Sequence, residues 1–250
     1  AQPIESNILD VPEELLEYEK QYLTSWISVT RRLLCNLFFC IIKVSTFKQM
    51  KLAEAHTKLN NIDKNQAPIP AKNKGGRGLW VEEQLGMKQS SQLNDFEDGE
   101  LKAFKEGQTI AVTMVQHCLD EIIEKKVSYI DSNVGKKLKN VLFVKFAKTG
   151  EFVNSLVSNS QIHEELHHKL IEDYNYICDE IRRRYELGKE LTTINGARDK
   201  NGVHKLLQIR TKASKTKLGN YVPLEYDGKR LKDKAMAFYL TRKFEKQLFN

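Results

Sequence analysis

The sequence predicts an α/β fold, and three observations carry that prediction. Short β-type runs recur at residues 100–102, 109–115 and 134–146. Amphipathic helical stretches fall between and around them, the longest over residues 160–187. The two kinds of segment alternate in an α/β pattern without regular βαβ repeats.

Taken in chain order, Asp10-Val11-Pro12 followed by Glu13 and Glu14 is a helix start, and the pairs Leu15/Leu16, Tyr22/Leu23 and Trp26/Ile27 recur at helical spacing. The first fifty or so residues are therefore expected to be mainly helical. Residues 63–74 are polar and contain proline, a connector leading into Gly75-Gly76-Arg77-Gly78. Residues 79–85 read as a short helix stopped by Gly86, with Leu79, Trp80 and Leu85 facing the core. Beyond the run at 109–115, residues 118–126 look helical. The stretch 134–146, centred on Val141-Leu142-Phe143-Val144, reads as one β run beside Lys136, Lys137 and Lys139. In the long helix Ile162, Leu166, Leu170, Ile177 and Ile181 form a stripe, and Gly188 stops it. The last sixty residues are expected to hold strands at 204–210 and 235–240 and a short terminal helix.

The 250 residues suffice for one large domain or two intimate lobes. Forty Lys and Arg against thirty-three Asp and Glu give a formal charge of +7, concentrated in the C-terminal third, which favours a polyanionic partner. Cys35, Cys40, Cys118 and Cys178 lack metal-ligand spacing and are expected to be reduced thiols, in keeping with a cytoplasmic protein. No signal peptide is evident. The most apolar stretch, 33–44, is interrupted by Asn36 and Lys43 and is shorter than the ~20 residues a bilayer span needs, so no membrane partner is expected.

Chemistry concentrates in Asp95-Phe96-Glu97-Asp98-Gly99-Glu100-Leu101-Lys102. On a strand Glu100 and Lys102 share a face while Leu101 points into the core. A turn at Gly99 can bring Asp95 beside Glu100, so two hard carboxylates and one ammonium converge. Mg²⁺ takes one or two carboxylates and fills its shell with water and substrate phosphate. The lysine can then orient an attacking water and neutralise charge on the phosphorane. The plainer alternative is Glu and Lys alternating on the wet face of a strand.

His163-Glu164-Glu165-Leu166-His167 matches the H-E-x-x-H pattern of zinc proteases, with Glu186 or Glu190 as conceivable third ligands. The helix is highly charged and the histidines flank its apolar stripe, so a solvated helix face with surface histidines accounts for them better.

Lys74-Gly75, Gly78, Glu82, Leu85-Gly86, Asp95-Phe96, Gly99 and Glu100-Leu101-Lys102 are spaced like the start of the nuclease core in the MutH mismatch-repair endonuclease and its GATC-cutting restriction relatives, a family this chain resembles. The likeness continues through Ser132, Val134 and Lys137-Leu138-Lys139-Asn140-Val141-Leu142, similar to the family's basic strand. Leu207-Gln208-Ile209-Arg210-Thr211-Lys212-Ala213 and Phe238-Tyr239-Leu240 with Phe244 follow in the family's order. Three departures stand out. The chain has two fewer residues between Asp95 and the Glu-Leu-Lys, Ala103 replaces a common threonine, and Thr211 replaces a proline. Residues 1–60 align with nothing in the family.

The resemblance implies a restriction-endonuclease-like α/β core, a mixed sheet flanked by helices, with two lobes forming a cleft for duplex DNA. The chain is expected to divide into a helical N-terminal region (1–62), a catalytic core (63–150) and a C-terminal lobe carrying recognition segments (151–250), the last two by the resemblance. Asp95 and Glu100 match the Mg²⁺-binding acids, with Mn²⁺ a possible substitute. Lys102 matches the catalytic lysine, Glu82 a supporting acid, Lys137 a second lysine near the scissile phosphate, and Lys74 a phosphate contact. Arg210, Lys212 and Tyr239 match positions that read the recognition sequence. Lys205, Lys215 and Lys217 would add salt-sensitive affinity. The implied function is a site-specific endonuclease, first a type II restriction enzyme. The alternatives are a nicking repair enzyme with a MutL-type partner, and a catalytically silent DNA-binding module.

Overall fold

Two sheets share a core, and the strand bearing Glu100 lies in the first of them. The computed structural model describes residues 50–62, 75–87, 95–194, 196–198 and 201–250. By its internal contacts the chain divides into units 1–48 and 49–250, and all described residues belong to the second. The expected helices within residues 10–27, the apolar stretch 33–44 and the connector 63–74 lie outside the described residues.

The elements run α1 (Leu52–Asn60), α2 (Gly76–Leu85), β1 (Glu100–Lys105), β2 (Ile110–Met114), α3 (Leu119–Ile123), α4 (Asn133–Leu138), β3 (Asn140–Phe146), β4 (Phe152–Asn159), α5 (Glu164–Glu186), β5 (Leu207–Thr211), β6 (Pro223–Tyr226), β7 (Lys229–Lys234), β8 (Met236–Leu240) and α6 (Arg242–Leu248). Short 3-10 turns at Val115–Cys118 and Leu191–Ile194 complete it. The first sheet is mixed, in the order β1-β3-β4, with β1 and β3 parallel and β3 and β4 antiparallel. The second, β2-β8-β5, is antiparallel, and β6-β7 is a separate hairpin. The protein is thus a mixed α/β fold.

Strand β3 is central and apolar on both faces, as a strand covered on both sides must be. Leu142, Val144 and Phe146 pack with α1 and α2 through Leu52, Leu59, Val81 and Leu85. Val141 and Phe143 point the other way, into the larger core shared with β2, β5, β8 and α5. The register aligns Glu100 with Val141 and Lys102 with Phe143, so both polar side chains of β1 face the side of the antiparallel sheet.

Several expectations are corrected. The stretch 134–146 is a helix followed by a strand, so Lys137 sits on α4 and not on a basic strand. Ser132 caps α4, its Oγ accepting from Gly135 N–H at 3.0 Å. A side chain at position 135 would overlap the Tyr129 carbonyl, so glycine is required there. That cap and close approach outweigh the β-like composition. Leu79 is 43% exposed and does not face the core, whereas Trp80 packs against Phe146 and Phe152. Ile162 precedes α5 and is exposed, leaving Leu170, Ile177 and Ile181 as the buried stripe. Strand β4 and the β6-β7 hairpin carry too many polar residues to show as apolar runs and were not expected. Both described cysteines, Cys118 and Cys178, are free, and burial pushes each thiol up to about 12. Among the described residues no helix is long and apolar enough to cross a membrane.

Candidate active site

A tight turn builds the site. Phe96 N–H donates to the Gly99 carbonyl at 2.9 Å, closing Glu97 and Asp98 into the tip. Phe96 is fully buried in the core under α1 and anchors the turn. Asp98 Oδ1 accepts from Leu52 N–H at 2.8 Å and so caps α1, whose own flanking residue, Lys51, supplies no side-chain cap. A Cβ on Gly99 would overlap the Asn140 carbonyl and Leu52 Cδ1, which explains glycine at this position. The residues between Asp95 and Glu100 therefore close into one compact turn.

The turn delivers Asp95 to the start of β1, where its Oδ2 accepts from Leu101 N–H at 2.9 Å. The Asp95 and Glu100 carboxyls come within hydrogen-bonding reach of each other. Glu100 is only 3% exposed, which rules out a Glu–Lys alternation on a wet strand face. Lys102 Nζ donates to Glu100 Oε2 at 3.0 Å, and Lys137 Nζ, reaching across from α4, donates to Oε1. Glu82, on α2, lies within electrostatic range of Asp95. The three acids and two lysines expected to act together are thus gathered at one place, from α2, the turn, β1 and α4.

Their electrostatics divide the acids. Burial acts most strongly on Glu100 and would raise its pKa, but the combined attraction of Lys102 and Lys137 outweighs it and holds the carboxyl below its ordinary value. Asp95 goes the other way: burial, with repulsion from Glu100, outweighs the Leu101 N–H and Lys102 and pushes it up. Glu82 is likewise raised, by burial and then by Asp95. Asp95 and Glu82 are consequently acids in want of positive charge. A hard dication with oxygen ligands fits that want, with Asp95 and Glu100 as its carboxylates. Among the described residues no group of three or more His, Cys, Asp or Glu forms a ligand set, but Mg²⁺ needs only one or two carboxylates besides water and phosphate.

A cleft of about 470 Å³ opens beside β1, and Lys102 lies in its wall together with Arg77, Lys105, Lys148, Lys212 and Tyr239. Two of the residues expected to read DNA thus share a cavity with the expected catalytic lysine. Arg210 joins them from the next position on the same face of β5. Its Nη1 donates to Thr109 Oγ1 at 3.0 Å, and its guanidinium carbon lies 5.8 Å from the Tyr239 ring centroid. The sheet accounts for this grouping, since β5 pairs with β8 and Gln208 stands opposite Tyr239. Thr109, Arg77, Lys105 and Lys148 were not singled out from sequence. They lie at element ends and turns, where one basic or hydroxyl residue gives no pattern. Lys74 lies outside the described residues.

Other expected contacts separate. Lys205 is 2% exposed, its Nζ directed to the Ile194 carbonyl and over the Tyr176 ring, so it cannot supply surface affinity as expected. Lys215 and Lys217 are exposed. His167 is buried and His163 half-buried, which corrects their reading as surface histidines. Burial lowers both imidazoles, and His163 lowers His167 further. Glu186 lies nineteen residues along the same helix from His167, about 28 Å away at 1.5 Å per residue. It cannot complete a zinc site. A scan against protein-family models and a search of curated proteins return no match for this chain.

Proposed function

We propose that this protein is a Mg²⁺-dependent endonuclease that hydrolyses phosphodiester bonds of duplex DNA at a short, GATC-like site, a type II restriction enzyme built on a restriction-endonuclease-like core. The observation that carries the proposal is the convergence of Asp95, Glu100, Lys102, Lys137 and Glu82, with Lys102 also lining a cleft that holds Lys212 and Tyr239. The order of these residues along the chain, and their likeness to the MutH family, support the same reading.

Asp95 and Glu100 would hold a Mg²⁺ or Mn²⁺ ion, which when bound would supply Lewis-acid polarisation of a phosphoryl oxygen and acidify water. The chain's own residues do the positioning. Lys102, fixed by Glu100, presents its ammonium to the attacking water and a non-bridging oxygen. Lys137, fixed to the other oxygen of Glu100, neutralises charge that develops on the phosphorane. Glu82 orients the Asp95 side of the site by charge. Water adds to phosphorus, one P–O ester bond breaks, and the departing oxygen takes up a proton to leave a hydroxyl and a phosphate monoester.

Arg210 and Lys212 offer donors suited to guanine O6 and N7 in the major groove, and the Tyr239 ring offers a face to a base or its methyl group. The bond from Arg210 to Thr109 and its place over Tyr239 hold that donor in one orientation.

Lys102→Ala tests the reading by separating binding from chemistry. On a duplex containing GATC, single-turnover cleavage should fall by about 10²-fold or more, while duplex affinity changes little. Undiminished cleavage by this variant would remove Lys102 from the mechanism.

A further inference from the structure

The cleft contains more positive charge than the reaction centre uses. Its lining carries five basic side chains, Arg77, Lys102, Lys105, Lys148 and Lys212, and no Asp or Glu. In a chain with 40 basic and 33 acidic residues this is segregation by sign. Lys102 is paired with Glu100. Among the described residues Arg77, Lys105, Lys148 and Lys212 have no carboxylate partner. Like charges held around a concavity repel, and the arrangement becomes favourable when an anion fills it.

Three of these residues belong to none of the roles given above. Arg77 lies in the first turn of α2, a ten-residue helix with no side-chain cap at its start, and its Nε is buried without a hydrogen-bond partner. A buried donor of this kind wants an acceptor. Lys105 ends β1 where the following turn is pinned, with Glu106 N–H donating to the Phe146 carbonyl at 2.8 Å and Gly107 N–H to Glu245 Oε2 at 3.0 Å. Lys148 projects from the β3–β4 turn, closed by Ala147 N–H donating to the Glu151 carbonyl at 2.9 Å. Both lysines therefore stand on fixed backbone, which reduces what ordering them on a ligand would cost.

We propose that Arg77, Lys105 and Lys148 form a phosphate-binding wall that grips the sugar-phosphate backbone of the duplex beside the phosphate attacked at Glu100 and Lys102. The proposal rests on the DNA reading above and extends it to residues that the likeness to the MutH family does not mark. These contacts are blind to base sequence; they fix where the backbone runs and so which phosphate meets Lys102.

The test is fluorescence anisotropy with a labelled duplex in EDTA, titrated with NaCl, on the full chain. Lys105→Ala/Lys148→Ala should reduce the slope of log affinity against log salt by about two, and Arg77→Gln by about one. Affinity should fall equally on duplexes with and without GATC. Lys148 is exposed and Lys105 half-buried, so the double variant should keep the wild-type melting temperature even if Arg77→Gln does not. A wild-type slope in the double variant overturns the wall while leaving cleavage by the wild type untouched. Tight, salt-dependent binding by a wild type that never cuts would sustain the wall and remove the nuclease reading. No duplex binding at all would remove both.

Discussion

Glu100 and Asp95 are neighbours with opposite electrostatic fates, and the difference decides how the site responds to pH and metal. Glu100 is depressed below its ordinary value by Lys102 and Lys137 despite its burial. Its contribution to stability is present above the unfolded value and is lost as pH falls through the folded one. Asp95 is raised by burial and by Glu100. The folded state therefore holds its proton more tightly than the unfolded chain, and stability is lost as pH rises from the unfolded value through the raised one. Asp95→Asn removes that loss and can keep an oxygen acceptor for Leu101 N–H. The variant should melt at a higher temperature than wild type near neutral pH, with the gap closing as pH falls toward about 4, the ordinary aspartate value. Wild type should gain about 2.7 kcal/mol from Mg²⁺ at a hundred times its Kd, and Asp95→Asn should gain almost none. Melting curves with and without Mg²⁺ check both; a wild type indifferent to Mg²⁺ would count against the carboxylate pair as its site.

At the scale of elements, the site depends on a turn that two layers hold in place. Gly99 touches both the Asn140 carbonyl and Leu52, while Asp98 caps α1 and its carbonyl accepts from Asn140 Nδ2 at 3.0 Å. Gly99→Ala should destabilise the fold by about 1–3 kcal/mol, the usual range for overpacking. It should also reduce cleavage by moving Glu100, and urea denaturation and activity assays measure the two effects. The alternation of Glu100, Leu101 and Lys102 was legible because a strand repeats every two residues. The 23-residue α5 was legible because its stripe persists over many turns. The six-residue α4 was hidden: its lysines and valine read as a continuation of β3, and the Ser132 cap and the Gly135 approach to Tyr129 are set by three-dimensional contacts. Lys205 shows the same limit from another side. Nothing in its neighbours separates a surface lysine from one folded over Tyr176.

For the whole molecule, the net charge of +7 says only that a polyanion is favoured, whereas the fold sorts that charge. It places five basic residues around one cleft and leaves α5 with ion pairs such as Arg183 with Glu180 and Lys169 with Glu172. Residues from α2, β1, β2, the β3–β4 turn and β8 border that cleft, a grouping that strand pairing creates and that sequence order conceals. Lys102, Lys212 and Tyr239 are far apart in the sequence, and the β5-β8 pairing together with the position of β1 brings them to one cavity.

We propose that the protein cuts DNA through a metal held at Asp95 and Glu100, beside the cavity that Lys102 lines. Incubating the protein with plasmid, methylated or unmethylated at GATC, in Mg²⁺ or in EDTA, tests it most directly. The account predicts discrete fragments or nicks ending at GATC-like sites in Mg²⁺, with the methylated plasmid reporting what Tyr239 discriminates, and intact plasmid in EDTA. Cutting that persists in EDTA, or plasmid left intact in Mg²⁺ and Mn²⁺ alike, would contradict it.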